Sequence, residues 1–303
     1  MNNRNPLRGK TALITGATGG IGAATVRLLI DYGVHVVIAA RNPDKFKSLL
    51  EEVTKTAKQK VKDSLSQKQV ENSLEFIKAD LSSIEDIKNC ALQFKEKYNH
   101  LDILINNVGG FFTKRNITRD GYELTFVLNY LCAFILTNLL LPSLKNSKNA
   151  HIINIASIEQ EHGKIFYDDL NGEKHYFGLR AYSQSKLALV MFTRQLSEML
   201  KESSIYVNAV HPGIVKTNIA QDTFRLQSLL YRLLKYTIAI TPEKAAENIV
   251  STLVDRRLKN ITGACIKKRK LGKFNPISND KEECKKLWNI SVELGKLPES
   301  FKI

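Results

Sequence analysis

The chain lacks what would hold a small extracellular scaffold together. It has four cysteines among 303 residues. Cys90, Cys132, Cys265 and Cys284 lie far apart with no CxxC pair, which excludes a disulfide framework and gives no metal-type cluster. Long apolar runs are also missing. The richest, Leu131–Leu141, is interrupted by Thr137 and Asn138. It reaches about half of the ~20 residues a membrane-spanning helix needs. No Pro- or Gly-rich linker and no internal repeat divides the sequence. The opening MNNRNPLRGK carries no apolar stretch, so neither a secretory signal nor an amino-terminal anchor is expected, and the expected location is cytoplasmic. Acid is scarce: 45 Lys+Arg against 30 Asp+Glu leave +15. The excess is spread along the chain, with its densest run at Lys267–Lys270. Such a run is either a solvated edge or a contact for an anionic surface.

What is present is a globular composition, 43% hydrophobic and 25% charged, which excludes disordered and collagen-like chains. Apolar, β-branched runs at Thr11–Thr15, Val34–Ala39, Leu74–Lys78, Leu101–Ile105, His151–Ile155, Ile205–Val210 and Gly263–Ile266 alternate with amphipathic stretches. The latter lie near Ile21–Tyr32, Pro43–Lys60, Ile84–Tyr98, Tyr122–Leu144, Ala181–Lys201 and Pro242–Leu253. Nearly all-apolar strands alternating with helices predict a doubly wound parallel α/β sheet of about seven strands, covered by helices on both faces. One domain over 1–303 is expected. Two segments break the rhythm. Lys55–Ser73 is polar and lysine-rich, read as a solvated helix extension. The 221–240 segment contains FRLQSLLYRLLKYTIAI, whose amphipathic pattern suits a substrate lid, a membrane-surface contact or a packed helix.

Three constellations carry chemistry. Thr15–Gly22 reads TGATGGIG between a strand and a helix. Gly16 suits a tight turn, Gly20 a close approach to a pyrophosphate, and Gly22 close helix–strand packing, while the helix amino terminus offers N–H groups to phosphates. The second strand ends at Ala39-Ala40-Arg41, with no acid to accept from a ribose 2′-hydroxyl. Arg41 suits a 2′-phosphate instead, which favours NADP(H). Tyr182 and Lys186 stand four residues apart on one helix face, where an ammonium stabilises the anion of a neighbouring phenol.

Taken in order, TGATGGIG, Asp80-Leu81, NNVG at Asn106–Gly109, Asn129, Ser157, Tyr182 with Lys186, and HPG at His211–Gly213 with Thr217 resemble the short-chain dehydrogenase/reductase family over nearly the whole chain. The 25-residue separation of Ser157 and Tyr182, the intervening GKIFYDDLNGEKHYFGLRAYSQSKLA and the late LWNISVELG resemble its retinol dehydrogenase-like branch. The resemblance implies a Rossmann-type fold and NADP-preferring enzymes acting on lipophilic or medium-chain carbonyls.

The resemblance also implies roles. Tyr182 would exchange a proton with the substrate oxygen, Ser157 would hydrogen-bond that oxygen, and Lys186 would hold the nicotinamide ribose and lower the pKa of Tyr182. Asn129 would anchor a water chain. Thr18 and Ile21 would join Gly16, Gly20 and Gly22 at the cofactor. Asp80 with Leu81 would meet the adenine, Asn107 and Gly109 the adenosine ribose, and Pro212, Gly213, Val215 and Thr217 the nicotinamide. No metal site is expected. Phe111, Phe112, Phe166 and the 221–240 lid would form an apolar pocket, with a substrate loop near 158–181.

The chain departs from the pattern in three places. Val108 replaces the usual alanine of NNAG and would crowd the nicotinamide side, the branch's hydrophobic anchor is not seen, and Lys55–Ser73 is unusually long. The expected partners are a small apolar carbonyl or alcohol, a second copy of the chain through the fourth and fifth helices, and a membrane surface met peripherally. Nucleic acid is not an expected partner. The competing readings are an NADPH-binding scaffold with incidental turnover and a basic binder of nucleic acid or anionic surfaces through the carboxy-terminal segment.

Overall fold

The computed structural model describes residues 5–59, 72–215 and 239–303. Its sheet has eight strands in the order β3-β2-β1-β4-β5-β6-β7-β8. They are β1 Thr11–Thr15, β2 His35–Ala40, β3 Leu74–Lys78, β4 Ile103–Asn106, β5 Ala150–Ile155, β6 Ile205–His211, β7 Cys265–Lys267 and β8 Lys270–Leu271. The first seven pair in parallel, and β8 turns back antiparallel on β7. Seven strands therefore lie where the apolar runs put them, to within two residues at each end. The eighth escaped detection because it has two exposed residues and no apolar pattern.

The helices are α1 Gly20–Asp31, α2 Pro43–Gln59, α3 Ile84–Lys97, α4 Leu124–Lys145, α5 Gly178–Met199, α6 Pro242–Val254 and α7 Lys281–Leu294. Because side chains alternate along a strand, β1 sends Leu13 to one core and Ala12 and Ile14 to the other. Val26 and Leu29 of α1 meet Ile249 and Leu253 of α6 over one face. On the other face Ile87 and Phe94 of α3, Phe134 of α4, Met191 and Phe192 of α5 and Trp288 of α7 share a core. The Phe134 ring lies edge-on to Trp288 at 5.0 Å and to Phe192 at 5.3 Å. Such aromatic pairs add about 0.5–1.5 kcal/mol each to the area they bury.

Two helix starts are set by local chemistry. The Ser83 hydroxyl accepts from the Asp86 N–H at 3.2 Å to cap α3, and Thr241 caps α6 through the Lys244 N–H, with Pro242 in the first turn. Helix α4 is apolar and, at 22 residues, long enough to cross a membrane, but 78% of its most apolar window is buried inside the fold. It is the central helix of a core. Its outer side and that of α5 are covered by α7, an element with no counterpart among the amphipathic stretches read from the sequence.

Candidate active site

All seven parallel strands end on one rim of the sheet, where the loops leaving β1 to β6 and the helices α4 and α5 carry the residues singled out in the sequence. This is where open α/β sheets bind ligands.

The β1–α1 turn is built for close approach. A Cβ at Gly22 would lie 2.6 Å from the Ala17 Cα and 2.8 Å from the Asn107 amide nitrogen, so only glycine fits. Gly19, which caps α1 from just before its first residue, supplies no side-chain hydrogen bond, and Gly19 and Gly20 are exposed. The Gly20, Ile21 and Gly22 amides have no acceptor among the described residues, which leaves an open positive helix end. This cradle suits a phosphate.

Asn107 braces the turn: its Nδ2 donates to the Thr15 carbonyl at 2.8 Å. The Thr15 hydroxyl in turn accepts from the Asn107 and Val108 amides at 2.9 and 3.0 Å. The Val108 side chain would meet a Cβ placed on Gly16 at 3.0 Å, so the valine closes against the glycine turn.

At the ends of β2 and β3 lies a cleft of about 390 Å³ lined by Arg41, Lys78, Asp80, Asp86, Asn89 and Gln93. Ala40 and Lys78 are register partners, which brings Arg41 and Lys78 to neighbouring strand ends. Both cations are exposed and have no ion pair among the described residues. Asp86 is neutralised by Arg119 at 2.7 Å, and Asp80 is held by the Ser82 amide and hydroxyl at 3.0 and 2.7 Å. The cleft therefore offers two unpaired positive charges. Leu81 is buried just behind it.

The other end of the site centres on α4 and α5. Within α4 the turn Val127–Leu131 is π-helical, a local widening that recurs at functional sites. Asn129 lies inside it, 1% exposed. Its Nδ2 donates to the Gly110 carbonyl at 2.9 Å and to the Ser185 hydroxyl at 3.0 Å, while its Oδ1 accepts from the Gly110 amide at 2.9 Å. The Ser185 hydroxyl donates to the Tyr182 carbonyl at 2.7 Å. This network ties α4, α5 and the β4 loop together. A Cβ on Gly109 would come within 2.4 Å of Asn129 Oδ1, so a side chain there would push into Asn129, while Lys186 Nζ at 3.6 Å would be in ordinary contact.

Lys186 is buried, with its Nζ donating to the Ile155 carbonyl at the end of β5 at 2.8 Å. Burial draws its pKa down from the ordinary lysine value to about 8, with Cys132 opposing. The Nζ lies 5.8 Å from the centroid of the Tyr182 ring, which is half-buried and meets Phe111 edge-on at 5.6 Å. Ser157 follows Ile155 by two residues and begins a short 3₁₀ turn, its hydroxyl accepting from the Glu159 amide at 3.3 Å. His211, at the end of β6, is buried, which drives its pKa to about 4, and its Nδ1 has no partner among the described residues.

Pro212, Gly213 and Val215 follow β6 on the same rim; Thr217 and residues 221–238 of the expected lid lie outside the described residues. The 158–181 loop is tied down at several points. The Gln184 side chain accepts from the Phe166 amide at 2.9 Å, Tyr176 donates to the Phe112 carbonyl at 2.9 Å, and Tyr167 donates to Glu283 at 2.8 Å. Arg180 stacks on Phe166 at 3.7 Å and pairs with Asp169 at 3.4 Å. No metal-type cluster occurs among the described residues.

The sequence reading missed Thr15, Lys78, Gly110 and Ser185. Thr15 and Gly110 were inside or beside quoted motifs, and Ser185 adjoins Lys186. Only strand register, which sequence does not give, brings Lys78 beside Arg41.

A Gly-rich phosphate cradle beside a tyrosine–lysine pair on one rim defines a nucleotide-dependent oxidoreductase of the doubly wound class. The short chain dehydrogenase family model matches residues 10–227, and the chain belongs to that family. It is 36% identical over 289 residues to retinol dehydrogenase 12 of Bos taurus, covering 95% of this chain and 87% of that one. It is 32% identical over 295 residues to polyprenol dehydrogenase of Homo sapiens, covering 95% and 86%. Among solved structures it resembles a Pseudomonas aeruginosa RhlG/NADP active-site complex, with a TM-score of 0.66 and 26% identity over 88% of this chain and 97% of that one. The protein is an alcohol/carbonyl oxidoreductase, retinol dehydrogenase-like in sequence.

Proposed function

We propose that the protein is an NADP(H)-dependent enzyme that interconverts an apolar aldehyde or ketone and its alcohol, with Tyr182 as proton donor and acceptor. The observation that carries this reading is the buried Lys186 ammonium beside the half-buried Tyr182 ring at the rim.

A nicotinamide cofactor, when bound, supplies or accepts the hydride. Tyr182 meets the substrate oxygen, whose developing negative charge needs a proton donor in place. Ser157 offers a second hydrogen bond to that oxygen. Lys186 keeps two N–H groups beyond its bond to Ile155, for the ribose and for the Tyr182 side. Its charge favours the phenolate. Asn129, with both amide hydrogens held by Gly110 and Ser185, keeps the β4 loop and α5 in register, and the second lone pair of its Oδ1 would anchor the proton return path. Gly16, Thr18, Gly20, Ile21 and Gly22 hold the pyrophosphate. Asp80 and Leu81 receive the adenine, and Asn107 and Gly109 border the ribose. Pro212, Gly213, Val215 and Thr217 border the nicotinamide.

NADP(H) is favoured by the cleft at β2 and β3, where Arg41 and Lys78 suit a 2′-phosphate, the end of β2 carries no acid to accept from a 2′-hydroxyl, and the two acids of the lining are engaged by Ser82 and Arg119. An apolar substrate is favoured by Phe111 against Tyr182 and by relatives named for retinol and polyprenol. The chain acts as one domain, with the 158–181 loop and the 221–240 segment bordering the substrate, in the cytoplasm or against a membrane. A second copy is an expected partner, although Trp288 of α7 packs on Phe134 of α4 and Phe192 of α5, so α7 occupies part of the surface those helices would offer.

The test is oxidation of NADPH and NADH by the purified protein with retinal and with a medium-chain aldehyde. Turnover that prefers NADPH supports the reading. Tight NADPH binding with no turnover on either carbonyl would move the protein to the scaffold reading.

A further inference from the structure

The basic run Lys267–Lys270 is a β-hairpin tip. Lys267 ends β7, Lys270 begins β8, and the two are register partners across a two-residue turn. The turn residues Lys268 and Arg269 have φ of 49° and 61°. Two-residue hairpin turns demand that backbone, and Asn-Gly or Gly-Gly normally meets the demand. Here two long cations adopt a conformation that strains any residue with a side chain, an outlier that invites a functional account.

Their surroundings supply one. Lys268, Arg269 and Lys270 are exposed, as are Leu271, at 65%, and Lys273. Arg269 is held by Glu247 of α6 at 3.1 Å, which fixes the tip against the fold. Lys267, Lys268, Lys270 and Lys273 have no ion pair among the described residues. A pinned turn thus projects several unneutralised charges around an exposed leucine. The place matters as much as the charge. Lys267 is the register partner of His211, so the tip leaves the same rim as the active site. It stands two strands from β5, which leads into Ser157, or about 10 Å at ordinary strand spacing.

We propose that this hairpin docks the protein on an anionic phospholipid surface, with Lys268, Lys270 and Lys273 at the headgroups and Leu271 in the interface, so that the active-site rim faces the bilayer. An exposed apolar side chain amid the cations suits a lipid interface better than a phosphate backbone, which would leave Leu271 without a partner. The docking stands on charge and placement; its use, delivering apolar substrate from the bilayer to the rim, rests on the function proposed above.

The experiment is sedimentation of the full chain with phosphatidylcholine vesicles and with phosphatidylcholine/phosphatidylserine vesicles at several salt concentrations. It includes the Lys268→Glu/Lys270→Glu and Leu271→Ser variants. Each cation at an anionic leaflet multiplies partitioning by about five, so the double reversal is expected to weaken binding by about 25-fold or more. Leu271→Ser should weaken it less, and wild-type binding should fall with salt. Binding that is equal on the two vesicle types, or unchanged in the charge-reversed variant, would overturn the proposal. So would binding to duplex DNA with none to vesicles. The assay needs no turnover, so failure of the proposed reaction leaves it readable. The hairpin variants should retain wild-type turnover of a water-soluble aldehyde in the absence of vesicles, which shows that the fold and site are intact.

Discussion

Two ends of one rim treat their cations differently. At β2 and β3, Arg41 and Lys78 stand exposed and without ion pairs among the described residues. At β5 and α5, Lys186 is 5% exposed, and burial draws its pKa to about 8. An exposed cation keeps its charge whatever comes near, so it contributes attraction and selectivity for an anionic ligand. A buried cation holds its charge only conditionally, and a neighbouring anion strengthens it. That coupling suits a proton transfer in which a phenol alternates between neutral and charged forms. On the function proposed above, one end recognises the cofactor and the other poises chemistry.

The comparison can be broken most severely at Lys186. Lys186→Met should lower turnover by about 10³-fold or more, since general acid–base catalysis contributes about 10²–10⁴-fold. It should also weaken NADPH and NADH alike, because the lost contact is to the ribose they share. Steady-state kinetics with a fluorescence titration checks both. Gly109→Ala comes next. Its Cβ would displace the Asn129 Oδ1, and a misplacement of about 1 Å can reduce turnover by about 10²-fold. Wild-type kinetics in that variant would show that the Asn129 network does not position the site.

Arg41→Ala should raise the NADPH dissociation constant by about 10- to 100-fold, the range of a lost charge-assisted hydrogen bond, and leave NADH nearly unchanged. Lys78→Ala should do the same to a smaller degree. Equal weakening of both cofactors would remove the 2′-phosphate from the cleft.

A further effect concerns stability rather than turnover. His151 and His211 are buried with pKa values near 4. Each unfolds to a group of ordinary pKa near 6.5. Between those values the unfolded chain binds more protons, so the stability these neutral rings contribute is fully present above about 6.5 and is lost as the pH falls to 4. At about 1.4 kcal/mol per pKa unit, the loss is on the order of 3 kcal/mol for each ring. In denaturant melts across that window the wild type should lose stability relative to His151→Gln as the pH falls.

Much of the fold was legible because its signals are local. Apolar strands announce a parallel sheet, and TGATGGIG announces its first turn. The α4 helix was read as starting at Tyr122 because its pattern begins there, but Glu123 caps it through the Thr125 and Phe126 amides, which sets the start at Leu124. Helix α5 begins at Gly178, three residues before the expected Ala181, where a Cβ would strike the Phe112 carbonyl at 2.4 Å. Helix α7 was missed because its buried face, Cys284, Leu287, Trp288, Ser291 and Val292, is embedded in charge.

In the site, residues sharing a helix face or a motif were readable. The Asn129–Gly110–Ser185 network and the Arg41–Lys78 pair were not, since one depends on a π-helical turn and the other on register. Neither leaves a periodic trace.

The most direct test of the central claim is Tyr182→Phe, which removes one hydroxyl and leaves the ring against Phe111. The account predicts NADPH binding within about threefold of wild type and turnover of an apolar aldehyde reduced by about 10²–10⁴-fold. Retained turnover in that variant would contradict it.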